Sequence, residues 1–173
     1  LFYQQIGQQF SASQISGRIA GTSYLYADLN ETSRSRISEH SSGTNQDDHL
    51  SGIQLSGELK FRSGASQIGL MSDVVKNLET NSDENFAFSV GFKVLRAPWK
   101  FKYIYGKIEH DAIPDFLPDS DRFNGHTGIK GHEAELKYSL NKNTLLGLDF
   151  YSTSDYVTGI DQKILQADVL LKF

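Results

Sequence analysis

The segments Phe86-Ala-Phe-Ser-Val-Gly-Phe-Lys-Val94 and Trp99-Lys-Phe-Lys-Tyr-Ile-Tyr105 decide how this chain folds. In the first, Phe86, Phe88, Val90, Phe92 and Val94 alternate with Ala87, Ser89, Gly91 and Lys93. In the second, Trp99, Phe101, Tyr103 and Tyr105 alternate with Lys100 and Lys102. Successive side chains of a strand point to opposite faces, so this period of two describes strands with one apolar and one polar face. Leu-Arg-Ala-Pro at 95–98 has the length and residue types of a tight turn, which makes the pair a hairpin.

The same period continues outward on both sides. Toward the C-terminus it runs through Ala134, Leu136, Tyr138 and Leu140, then Leu146, Leu148 and Phe150, then Leu165, Ala167, Val169, Leu171 and Phe173. Toward the N-terminus it runs through Ile68 and Leu70, then Ile53, Leu55, Gly57, Leu59 and Phe61, then from Ile15 to Leu29. Helical spacing is sparse and no capping box opens such a stripe. Eight strands are predicted, and residues 1–12, rich in Gln, read as a lead-in or the end of an earlier strand.

Composition removes several classes. A membrane-spanning helix needs about 20 consecutive apolar residues, and the longest apolar run here is Tyr24 to Ala27. With no cysteine there is no disulfide framework, zinc ribbon or thiol nucleophile. A net charge of -4 provides no basic footprint, so nucleic acid is not an expected partner. The 173 residues suit a single domain, and the start at Leu1 without Met reads as a mature product or a fragment.

Connections alternate in length. Short ones fall near 62–65, 95–98 and 141–143, and long polar ones near 30–49, 73–85, 107–128 and 153–162. In an up-and-down chain all short turns then share one end, the asymmetry of a transmembrane β-barrel. The apolar parity carries aromatics at both ends, Phe61, Trp99, Tyr138 and Phe173 at the turn end and Phe86, Tyr105 and Phe150 at the loop end, as two interfacial girdles. The opposite parity carries Arg18, Glu58, Lys60, Lys93, Lys100, Lys102, Glu133, Glu135, Lys137, Asp149, Asp168 and Lys172, too many charges for a core. These suit a wet, salt-bridged lumen, with Lys100 and Lys102 across from Glu133, Glu135 and Lys137. The solvated outside of a soluble sandwich or barrel is the other reading of the same parity.

The stretch from Trp99 to Asp121, Gly131-His132, Leu140-Asn-Lys-Asn-Thr-Leu-Leu-Gly-Leu148 and the closing Leu165 to Phe173 resemble the C-terminal part of the putative porin family of Gram-negative outer membranes, over roughly residues 83–173. The resemblance implies an all-β, antiparallel up-and-down transmembrane barrel, with long loops extracellular and short turns and the C-terminus periplasmic. It implies a barrel of about sixteen strands, wide enough for an aqueous channel, whereas about eight strands leave an interior that side chains fill. This chain then supplies about half of the wall. Leu165, Ala167, Val169, Leu171 and Phe173 look like the terminal strand that outer-membrane proteins present to the barrel assembly machinery. Outer-membrane lipid and lipopolysaccharide are the implied surroundings, with a homo-oligomer or an envelope complex as open possibilities.

The acids Asp111, Asp115, Asp119 and Asp121 could ligate a hard cation or bridge to lipopolysaccharide phosphates through divalent ions, but they lack EF-hand spacing and read as a solvated loop that draws cations to the mouth. Asp47-Asp48-His49 and His110-Asp111 resemble the Asp and His pairs of omptin-type outer-membrane proteases, yet no third orienting group or nucleophile motif accompanies them. No catalysis, resident metal or cofactor is expected. The leading expectation is a passive diffusion channel for small hydrophilic solutes or ions. The alternative is a non-conducting barrel that acts as a structural or interaction subunit.

Overall fold

The computed structural model describes residues 2–11, 15–26, 50–78, 83–113 and 125–172. The strands are β1 (Phe2–Ser11), β2 (Ile15–Tyr26), β3 (Leu50–Ser63), β4 (Ser66–Asn77), β5 (Phe86–Arg96), β6 (Trp99–Ile108), β7 (Ile129–Ser139), β8 (Thr144–Asp155) and β9 (Asp161–Leu171). They form one sheet in sequence order, each strand antiparallel to the next. No helix among the described residues is long and apolar enough to cross a membrane.

The count is nine where alternation predicts eight. The added strand is β1, which agrees with the earlier-strand reading of residues 1–12 and pairs with β2 without interruption from Phe2↔Leu25 to Ser11↔Ser16. Its glutamines hide the period of two, but the backbone ladder needs only main-chain donors and acceptors, which every residue but proline supplies.

Strands also run further than side-chain polarity suggests. Asp73 to Asn77 lie in β4 and not in a loop, paired with Ser56 to Gly52. The last expected long loop is a short hairpin at 156–160, because Thr153 to Asp155 extend β8 and Asp161 begins β9. Asp155 closes that hairpin: its Oδ1 accepts from the N–H of Val157 at 2.8 Å and Thr158 at 3.0 Å, and its N–H donates to the Ile160 carbonyl at 2.9 Å. The Asn-Lys-Asn turn matches its expected chemistry, with the Asn141 side chain accepting from the Asn143 N–H at 2.8 Å.

The sheet is not closed; β1 and β9 are its edges. Nine antiparallel strands in order leave β1 and β9 running in the same direction, so joining these two edges directly would make a parallel seam.

Close approach of β7 and β8 depends on Gly131. A Cβ there would stand 2.4 Å from the Ser152 carbonyl oxygen and 2.7 Å from Thr153 Cα, both rigid backbone atoms. Gly131→Val is expected to destabilise the folded sheet by about 1–3 kcal/mol through overpacking, while Gly147→Ala, whose Cβ would meet only Asp168 at 3.5 Å, leaves stability nearly unchanged. Unfolding by denaturant, followed by tryptophan emission from Trp99, measures both.

Candidate functional site

Residues directly opposite one another across successive strands form rows, and these rows place the charges of the polar face. One row reads Lys60, Gly69, Lys93, Lys102, Glu135, Asp149 and Gln166. The next row toward the loops holds Arg18, Glu58, Met71, Gly91, Ile104, Glu133 and Tyr151. The next toward the turns holds Lys100, Lys137, Gly147 and Asp168. Arg18, Lys60, Lys93, Lys100 and Lys102 thus stand on β2 to β6, and Glu133, Glu135, Asp149 and Asp168 on β7 to β9, with Glu58 and Asp73 in the first group and Lys137 and Lys172 in the second as exceptions. The linear sequence names these charges without revealing that the signs divide across the sheet.

Ion pairs tie the two halves together. Glu58 holds Lys60 at 2.8 Å and also Lys93. Lys93 stands on β5 and Glu58 on β3, so the lysine must cross β4. It does so over Gly69, where a Cβ would come within 2.9 Å of the Lys93 Cγ and Cε atoms. The missing side chain at 69 is the channel in which that stem lies. Lys102 pairs with Glu133 and reaches Glu135 at 4.0 Å, while Lys137 Nζ lies 2.5 Å from Glu135. Lys100 and Lys137 are direct neighbours of like sign, a mutual repulsion that Glu135 relieves.

Gln54, which keeps the parity of Glu58 and Lys60, joins this face nearer the loops together with Asp73, which alternation alone misses. Gln54 Nε2 donates to Asp73 Oδ2 at 2.6 Å, and Asp73 Oδ1 is buried without a hydrogen-bond partner. The signal was present, since Asp73 keeps the parity of Met71 and Val75, but a lone Asp beside Ser72 reads as a loop start.

The opposite face is apolar and exposed. Leu55 is 57% exposed, Val90 48% and Leu148 42%, and no described element covers them. This apolar area is oblique to the rows. Its loop-side edge runs from Ile53 on β3 to Leu165 on β9, three rows lower, and its turn-side edge from Phe61 to Leu171, two rows lower. Two to three rows are about 13–20 Å along a strand, over six interstrand steps of about 4.8 Å. The area is therefore inclined at roughly 25–35°, near the tilt of about 35–45° that strands adopt in a membrane barrel.

The aromatic residues follow the same slant. Phe86, Tyr105 and Phe150 step down from β5 to β6 to β8 at the loop side. Phe61 and the Trp99–Tyr138 pair, with ring centroids 4.5 Å apart, do so at the turn side. His132, which alternation does not single out, joins the loop-side line, with Nδ1 2.6 Å from the Tyr103 hydroxyl and its ring 4.9 Å from Tyr105. Leu165, Val169 and Leu171 project from the edge strand, all more than half exposed, with Ala167 between them. Phe173 lies outside the described residues.

At the loop end the connections knit together. Glu109 accepts from the Phe86 N–H at 2.9 Å and from Lys107 at 2.8 Å, Asp111 N–H donates to the Glu84 carbonyl at 2.9 Å, and Asn77 Nδ2 donates to the Asp111 carbonyl at 2.8 Å. His110 is packed under this knot, its side chain 9% exposed, with Nε2 4.0 Å from Glu84 and its ring 5.9 Å from Tyr156. Burial, with Glu84 and Glu109 nearby, raises the pKa of the Tyr156 hydroxyl. Asp115, Asp119, Asp121 and the Asp47-Asp48-His49 triplet lie outside the described residues, and no cluster of three metal-ligating side chains occurs among the described ones.

Glu133 and Glu58 differ in burial, their side chains being 8% and 26% exposed. Lys102→Met leaves the more buried Glu133 without this lysine, beside Glu135, and is expected to cost about 1–3 kcal/mol. Lys93→Met leaves Glu58 its 2.8 Å contact with Lys60, and is expected to cost less than about 1 kcal/mol. Equal losses in denaturant titrations would refute this ranking.

Comparison with curated proteins and with solved structures yields no match. Residues 79–173 match the family model described as Putative porin, more than half of the chain and all of β5 to β9. An antiparallel up-and-down sheet with one exposed apolar face and one charged face agrees with that match, and the chain belongs to the Putative porin family.

Proposed function

We propose that this chain forms part of the wall of an outer-membrane porin, a passive diffusion channel for small hydrophilic solutes or ions. The observation that carries the reading is the pairing of faces on the same strands: a slanted, exposed apolar band backed by rows of lysine and glutamate. An apolar face of this kind is stable against lipid, and the charged rows are stable against water. The rows then line the lumen. The long loops face outward, and the short turns and C-terminus face the periplasm.

Strand parity supports a barrel larger than these nine strands. Bacterial single-chain barrels have an even number of antiparallel strands, so an odd number of further strands must separate β9 from β1. Seven would complete the barrel of about sixteen that the family resemblance implies, a size that leaves an aqueous channel. In such a channel the basic sector of β2 to β6 and the acidic sector of β7 to β9 place a transverse field across the solute path.

Conductance in planar bilayers tests the proposal with the full protein. Stepwise channel currents are expected, and replacing Lys60, Lys93 and Lys102 together by Gln is expected to move the reversal potential in a KCl gradient toward cation preference. A protein that inserts and folds yet passes no current at any voltage would sink the pore reading in favour of a structural barrel.

A further inference from the structure

Four lysines lie on the apolar-parity face, and all four stand at its loop-side edge. Lys76 is in the row of Ile53, Lys107 and Lys130 are in the row of Leu55, and Lys163 is in the row of Gly57, one row lower at each step. This is the slant of the apolar band itself. On each of these strands the lysine is the next outward position after the last apolar or aromatic residue: Val74 then Lys76, Tyr105 then Lys107, His132 then Lys130, Leu165 then Lys163. Once the strands are tilted in a bilayer, the four ammonium groups come to one level just beyond the hydrocarbon edge.

The line is electrostatically incomplete. Lys107 and Lys130 are directly opposite on adjacent strands, a repulsive pairing. Lys107 is partly compensated by Glu109 at 2.8 Å and sits 4.8 Å over the Tyr156 ring. Lys76, Lys130 and Lys163 are exposed and form no ion pair among the described residues. Asp161, the nearby acid in the row of Lys130, accepts from the Ser154 hydroxyl and keeps its charge, but makes no ion pair with a lysine of the line. The turn-side edge of the same face has a different composition, with Ser63, Ser66 and Thr144 and a single cation, Arg96. Four lysines against two acids, Glu109 and Asp161, leave a net cationic line on one edge of a lipid-facing band, which calls for further anions at that depth on that side.

We infer that Lys76, Lys107, Lys130 and Lys163 form a phosphate-binding rim for lipopolysaccharide in the outer leaflet. Each ammonium donates hydrogen bonds to lipid phosphate oxygens, and a phosphate between Lys107 and Lys130 relieves their repulsion. Long lysine stems lie along the apolar wall while their heads reach the headgroup layer. The rim would fix the depth of the barrel and seal its outer edge against the leaflet. This rests on the reading that the apolar face meets lipid with the loops outward.

The test compares wild type with the triple variant Lys76→Gln/Lys130→Gln/Lys163→Gln, and with the corresponding triple Arg variant. All are reconstituted as full protein in phosphatidylcholine vesicles, with or without lipopolysaccharide. Thermal unfolding is followed by the heat-dependent change in electrophoretic mobility. Lipopolysaccharide is expected to raise the unfolding temperature of wild type and of the Arg variant, and the Gln variant should lose more than half of that rise while matching wild type in phosphatidylcholine alone. An equal rise in the Gln variant overturns the rim. So does a rise reproduced by inorganic phosphate in phosphatidylcholine vesicles, which would assign the site to a soluble anion, or one that depends on protein density, which would assign it to a second copy. Failure of wild type to insert into either vesicle strikes at the lipid-facing reading, which separates the two failures.

Discussion

Main-chain amides and carbonyls in contact with hydrocarbon must bond to one another, since lipid offers them no partner and each unsatisfied group costs several kcal/mol. The continuous antiparallel ladder from β1 to β9 meets that demand for every internal strand. It leaves two rows of unpaired backbone groups, on β1 and β9. In the barrel proposed above, those edges would be joined through further strands, because only a closed sheet removes them. The shared direction of the two edges means that an antiparallel closure would need an odd number of strands between them.

The same ladder converts sequence spacing into electrostatics. With register set by backbone pairing, Lys102 must stand opposite Glu135, and Lys93 must stand opposite Lys102. The first juxtaposition is attractive and the second is not, so Lys93 turns away across Gly69 to Glu58 on β3. A glycine in one strand thus lets strands two positions apart share an ion pair. These pairs stiffen a wall whose side chains otherwise contribute only about 0.2–1 kcal/mol per cross-strand contact.

Tilt is the second geometric consequence. Apolar edges, aromatic lines and the lysine line all cross the rows in the same sense, as features at constant depth would in the tilted, membrane-spanning sheet proposed above. Placed on one row, Lys76 and Lys163 would sit at different depths in a tilted sheet. Their offset of two rows brings them level. Three classes of side chain therefore share one slant.

The period of two in Phe86 to Val94 and Trp99 to Tyr105 was enough to establish strands, their two faces and the hairpin between them, because side-chain direction alternates whatever the neighbours are. The apolar, aromatic and charged sets were legible for the same reason. Alternation could not reveal β1, whose glutamines carry no contrast, or the full length of β4 and β8, where main-chain pairing continues past the apolar side chains. Nor could it show the division of charge between the sheet halves, the crossing of Lys93 over Gly69 or the level line of lysines. Each of those depends on register, and register is a relation between strands far apart in the chain. Local residue type determines which face a side chain occupies; only the assembled sheet decides what it stands beside.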